Sequence, residues 1–238
     1  MSPISQNLQV VHEAIALSAL RYDRNPTEIA LLAVSKTFGA EQVVQAWQAG
    51  QRAFGENYVQ EGIDKIAEVR SLLSSQENTE PPVWHFIGPI QSNKTRPIAE
   101  NFSWVHSIDR EKIATRLSEQ RPVAAGDLQV CLQVNISGET SKSGVHSNEL
   151  LALAKHVAQL PNLCLRGLMC VPEASEDEAV QRQAFRQLAQ LKQYLQNQGI
   201  VIDTLSMGMS ADMQAAIAEG STIVRIGSAI FGKRHYAV

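Results

Sequence analysis

Eight short apolar runs separated by amphipathic or polar stretches constrain this chain more than any other feature. They lie at residues 29–35, 52–55, 83–87, 103–106, 128–134, 163–168, 203–206 and 222–226. Short runs without polar alternation read as strands buried on both faces, the pattern of a parallel sheet covered by helices. The segments between them carry helical periodicity. Between 176 and 198, Val180, Ala184, Leu188, Leu191 and Leu195 recur at steps of three and four, and Gly199 stands where a C-terminal cap belongs. AEQVVQAWQAG ends on Gly50, YVQEGIDKIAEVRSLL follows GEN, and DREKIATRLSEQ opens at Asp109, an acidic residue placed to cap a helix. One more helix, over residues 5–20, precedes the first strand.

Eight βα units after one helix, in 238 residues, match the order and size of a (β/α)8 TIM barrel; a doubly wound sheet is the lesser alternative. The expectation is one domain, residues 1–238, and 44% hydrophobic residues suffice for its core. A formal net charge of −3 with scattered basic residues argues against nucleic acid or an anionic membrane surface as the main partner. No apolar stretch approaches the ~18 residues of a membrane span, and MSPISQNLQVVHEAIALSAL lacks the basic start of a signal peptide. Cys131, Cys164 and Cys170 form no CxxC pair and lie in or beside apolar runs, as buried, reduced thiols of a cytoplasmic protein do.

In a barrel the C-terminal ends of the strands converge on one mouth, so following each strand collects the candidate site. That list contains Lys36, Glu56 and Asn57, His85 and Gly88, Ser107, Asn135, Met169, the stretch SMGMSADM at 206–213, and Arg225 with IGSAIFG. Barrels commonly bind phosphate after strands seven and eight. There Gly208 permits a tight turn, Ser210 offers a hydroxyl or a helix cap, and Gly227 with Ser228 opens backbone amides toward an anion. Arg225 is a charge inside an apolar strand and wants an acceptor, either a carboxylate such as Glu56 or the nitrogen of a pyridine ring. Lys36 leaves a strand with no polar alternation, so it either snorkels into solvent or is placed for chemistry. A lysine, a phosphate cradle and a partner for a ring nitrogen are the three requirements of pyridoxal phosphate. An arginine in the last role donates only, leaving the pyridine unprotonated and a weak electron sink.

The stretches AVSKTF, FGENYVQE, WHFIGPIQSNK, GLMCVP, LSMGMSADM and VRIGSAIFG resemble, in that order and over residues 8–234, the pyridoxal phosphate homeostasis protein family (the YggS or PROSC family). The resemblance implies a barrel like the N-terminal domain of bacterial alanine racemase and fold-type III decarboxylases, with pyridoxal 5'-phosphate held by Lys36 as a Schiff base. It implies further that Arg225 faces the pyridine nitrogen, that Ser210, Gly227 and Ser228 touch the phosphate, and that Asn57 lies near the cofactor. His85, Asn135, Met169 and Ser206 are assigned to the same pocket. Two departures from the racemases are expected to matter: no second domain is expected after residue 234, and KTFGA lacks the tyrosine that racemases place after the lysine. One face of the ring is therefore expected to open to solvent.

The expected function is carriage and buffering of pyridoxal phosphate in vitamin B6 and amino-acid or keto-acid homeostasis, by a cytoplasmic monomer that is not an enzyme. Transient partners would be apoenzymes that depend on the cofactor, with neither nucleic acid nor membrane involved. The alternatives are a cryptic racemase or lyase using His85 or Lys142 as a second base, a barrel whose lysine bonds its substrate directly, and a regulatory protein that uses the cofactor as a signal. Residues 138–144, with Lys142, are a candidate flap or a plain solvated loop.

Overall fold

The computed structural model describes residues 2–74, 80–138 and 143–232. Its eight parallel strands are β1 (Ala30–Val34), β2 (Ala53–Glu56), β3 (Val83–Phe86), β4 (Trp104–Ile108), β5 (Leu128–Gln133), β6 (Leu163–Met169), β7 (Thr204–Ser206) and β8 (Ile223–Ile226). Each falls on one of the apolar runs. They close into a barrel in sequence order, with β1 pairing back to β8 from Ala30↔Ile223 to Ala33↔Ile226. The doubly wound alternative is excluded.

The helices are α1 (Pro3–Arg21), α2 (Ala40–Gln48), α3 (Val59–Leu72), α4 (Thr95–Asn101), α5 (Glu111–Gln120), α6 (Leu150–Ala158), α7 (Glu178–Asn197), α8 (Met213–Ala218) and α9 (Ser228–Phe231). Helix α1 starts where Ser2 accepts the Ser5 N–H at 3.2 Å and Pro3 presets the first turn. Its buried Ile4, Leu8, Val11 and Ile15 pack it against α2, α8 and α9. Burial of such side chains contributes about 1.5–3 kcal/mol each. Among the described residues the helix after β8 is the four-residue α9, and α1 packs beside it and α8.

Alternation along the strands divides the core. Leu31, Ala33, Phe54, Val105, Val130 and Leu165 belong to the layer under the helices. Leu32, Val34, Cys131, Met169 and Ile223 are buried outside that cluster, inside the barrel. Register shifts between Val105 and Ile108 and between Val130 and Cys131 change which parity faces inward.

Three local expectations need correction. Asp109 does not cap α5: that helix begins at Glu111 after Arg110, and the Asp109 carboxylate pairs with Arg110 at 2.6 Å. Ser210 does not cap α8, whose N-terminus is preceded by Asp212; Asp212 Oδ1 accepts the Met209 N–H at 2.6 Å. Of the three free cysteines, Cys131 and Cys170 are buried, with burial pushing both thiols up to about 12, but Cys164 is only partly so. Among the described residues, no helix is long and apolar enough to cross a membrane.

Candidate functional site

The mouth at the C-terminal strand ends holds a cavity of about 360 Å³. Seven of the ten expected residues line it: Lys36 past β1, Asn57 past β2, Met169 ending β6, Ser210 past β7, Arg225 on β8, and Gly227 and Ser228 beyond it. Val34, Ile87, Val171 and Met209 add apolar walls that no sequence signal distinguished from ordinary core. His85, Asn135 and Ser206 stand elsewhere. Asn135 secures the start of its own loop, its Oδ1 accepting from Ser137 Oγ at 3.1 Å and from the Gly138 N–H at 3.0 Å. Lys142 and residues 139–141 lie outside the described residues.

Lys36 occupies a tight turn. The Ser35 carbonyl accepts the Phe38 N–H at 3.0 Å, and Thr37, third in the turn, has φ of 69°. That is the position where glycine is usual, and a β-branched residue there costs about 1–2 kcal/mol. Helix α3 holds this turn. Lys65 Nζ donates to the Ser35 carbonyl at 2.7 Å, to Glu56 Oε1 at 2.7 Å and to Glu61 Oε1 at 3.0 Å, while Glu61 Oε1 accepts the Thr37 N–H at 2.5 Å. Ser35 Oγ donates to Glu56 at 2.7 Å. Glu56 is fully buried, and its carboxyl is pushed above the usual range by burial, against the pull of Lys65.

Glu56 is therefore not the partner of Arg225, as the carboxylate reading had it; it faces out of the barrel, onto α3. Arg225 Nη1 donates to the Ser206 carbonyl at 2.6 Å and to Ser206 Oγ at 2.9 Å, and Nη2 donates to the Cys170 carbonyl at 2.8 Å. No carboxylate forms an ion pair with it among the described residues. Burial shifts its guanidinium downward from its ordinary value, yet an arginine stays charged in a protein. Among the described residues its hydrogen bonds thus go to neutral oxygens at the cavity floor, with the Asp212 carboxylate acting on it without an ion pair.

Beneath it runs a column that the sequence reading only half found. Ser206 Oγ lies 2.7 Å from His106 Nδ1, and His106 Nε2 lies 2.9 Å from His85 Nδ1. His85 stacks on Trp104 with ring centroids 5.2 Å apart. Both imidazoles are neutral: burial pushes His85 down to about 3, and burial, His85 and Arg225 together hold His106 well below its usual value. His106 was missed, although a lone histidine between Val105 and Ser107 in an apolar strand carries the same signal as Arg225.

Two further features shape the cavity wall. Gly88 lies so close that a Cβ there would run into the Asn57 carbonyl, which locks the backbone of the β2 exit. Among the described residues Asn57 Oδ1 is buried without a hydrogen-bond partner, an acceptor left open beside the cavity.

Residues 16–235 match the family model for the alanine racemase N-terminal domain. A pyridoxal phosphate homeostasis protein of Vibrio cholerae is 56% identical over 240 residues, covering all of this chain and 99% of that protein. The chain belongs to the pyridoxal phosphate homeostasis protein family. An Escherichia coli member is 52% identical, again over the whole chain and 99% of its own length. Among solved structures, PipY of Synechococcus elongatus with PLP bound superposes with a TM-score of 0.80 at 34% identity, covering 96% of this chain and all of PipY. Alanine racemase from Corynebacterium glutamicum shares the fold alone, with a TM-score of 0.65 at 17% identity; 99% of this chain covers 62% of that enzyme. The family is thus built on a barrel that enzymes also use.

Proposed function

We propose that this chain, acting as a single domain, binds pyridoxal 5'-phosphate at the barrel mouth and carries or buffers it through a Schiff base with Lys36. The observation that carries the reading is a buried arginine that forms no ion pair among the described residues and shares one cavity with a lysine. The other residues fit the same cofactor. The orphan Asn57 Oδ1 suits a hydroxyl donor, and a side chain at Gly227 would close to 3.0 Å on the Val34 carbonyl, so glycine lets the chain after β8 lie close against β1 at the cavity. The family membership and the PLP-bound PipY support it from outside the chain.

When bound, the cofactor supplies an aldehyde that an amine masks reversibly with loss of water. Lys36 provides that amine once it has shed its proton. Ser210, Gly227 and Ser228 would hold the phosphate, Arg225 would donate to the ring nitrogen, and Asn57 and Met169 would lie beside the ring. Because Arg225 cannot hand over a proton, the site favours holding the cofactor over stabilising a carbanion. His85, the residue weighed as a second base, lies below the cavity with its imidazole in the column, so we read the protein as a carrier rather than a racemase or lyase. Ser206 and His85 act on the site through Arg225. Asn135 shapes the neighbouring loop. The reading includes a monomer in the cytoplasm that passes the cofactor to apoenzymes.

The test is the visible spectrum of the purified protein before and after borohydride reduction, with mass mapping. A yellow band abolished by reduction, a pyridoxyl mass on Lys36 and complete loss of both in Lys36→Ala are expected. A protein that stays colourless after incubation with pyridoxal phosphate would overturn the proposal.

A further inference from the structure

Lys65 and Glu61 do not reach the cavity, yet between them they hold both peptide groups flanking Lys36. The carbonyl before it, on Ser35, receives the Lys65 ammonium at 2.7 Å. The amide after it, on Thr37, donates to the Glu61 carboxylate at 2.5 Å. The two side chains sit one turn apart on α3 and pair with each other at 3.0 Å. Their polarity is matched to the backbone: a cation on the carbonyl, an anion on the amide. Glu56, fully buried behind them, anchors Lys65 and also takes the Ser35 hydroxyl.

The turn needs such a hold. Thr37 keeps a left-handed backbone, φ 69°, that a β-branched residue leaves readily when nothing restrains it. Relaxation of Thr37 would rotate the Thr37 amide away and re-aim the side chain of Lys36, which leaves the backbone between the two clamped peptides. An ordinary turn at this position would carry glycine and need no clamp.

We infer that Glu61 and Lys65 are positioning residues which clamp the strained 35–38 turn and aim the Lys36 amine at the cofactor's aldehyde. The inference rests on the proposal that Lys36 bonds pyridoxal phosphate. It predicts that the clamp acts on the covalent part of binding and leaves the seating of ring and phosphate alone.

Two ligands separate those parts: pyridoxal phosphate, and 4'-deoxypyridoxine phosphate, which has the same ring and phosphate but no aldehyde. Dissociation constants for both are measured by tryptophan fluorescence on wild type, Glu61→Ala and the double variant Glu61→Ala/Thr37→Gly. The wild type should prefer the aldehyde. Glu61→Ala should lose about tenfold of that preference, the scale of one charge-assisted hydrogen bond, with deoxypyridoxine phosphate binding unchanged. Thr37→Gly in the same chain should restore the preference, because glycine holds the turn unaided. An unchanged preference in Glu61→Ala, or equal weakening for both ligands, overturns the clamp. A wild type without any preference for the aldehyde overturns the Lys36 reading itself. Borohydride trapping rates on Lys36 supply a second readout, expected to fall and recover in the same order.

Discussion

Lys65 and Arg225 are both buried cations, at 5% exposure each, and the fold satisfies them in opposite ways. Lys65 lies between the sheet and α3, 2.7 Å from a fully buried carboxylate, with two further acceptors. Its charge is consumed within the protein. Arg225 lies inside the barrel with two carbonyls and a hydroxyl for company, and its column below holds two imidazoles neutral. Its charge is left for whatever enters the mouth. The difference teaches how a single barrel separates a cation paired inside the protein from one left facing the cavity: the pairing carboxylate sits on the helix side of the strands, and among the described residues none on the interior side forms an ion pair.

The largest effect should come from breaking the closed site. Lys65→Met leaves Glu56 buried and uncompensated, so urea unfolding at pH 7.5 should show a loss of about 3–5 kcal/mol, most of it recovered when Glu56→Leu is added. A loss shared equally by both single variants, with no recovery in the double, would break the picture of a charge consumed by its partner.

Next comes pH. In the unfolded chain His85 takes a proton near its ordinary 6.5, but in the folded protein only at about 3. Between these values the unfolded state binds more protons, so stability present above pH 6.5 is lost as pH falls. From pH 7.5 to 5 this group alone should cost about 2 kcal/mol. In His85→Asn the acid loss should be smaller by that amount; an identical slope in the two proteins would show that the column accepts charge beside Arg225.

The smallest effect is expected at the hydroxyl between Arg225 and His106. Ser206→Ala keeps the carbonyl that receives Arg225 but strands His106 Nδ1, for a loss of about 1 kcal/mol in the same urea assay. Its sharper consequence is on the Arg225 side of the proposed site: affinity for 4'-deoxypyridoxine phosphate should weaken about threefold, whereas Glu61→Ala leaves that affinity alone. Reversal of those two results would exchange the roles assigned to the mouth and the clamp.

Much of the site was legible because a charge in an apolar run is conspicuous. Lys36 and Arg225 stood out that way, and strand order placed Asn57, Met169, Ser210, Gly227 and Ser228 beside them. Lys65 gave no such signal, since Glu61 and Lys65 at i and i+4 read as any solvated helix pair; only packing of α3 on β1 and β2 buries it. The caps failed for a related reason. Asp109 and Ser210 have the chemistry of an N-cap, but turn geometry assigns the helix starts to Arg110 and Asp212.

The amino-acid sequence by itself determined the number, order and type of elements, because strands buried on both faces and helices buried on one leave different apolar periods in any chain that folds this way. Tertiary structure alone decided which polar groups meet. Closure of β8 onto β1 brings position 225 to position 36, and the register shifts in β4 to β6 choose the inward side chains. Both are set by packing across distant segments, for which no local pattern exists.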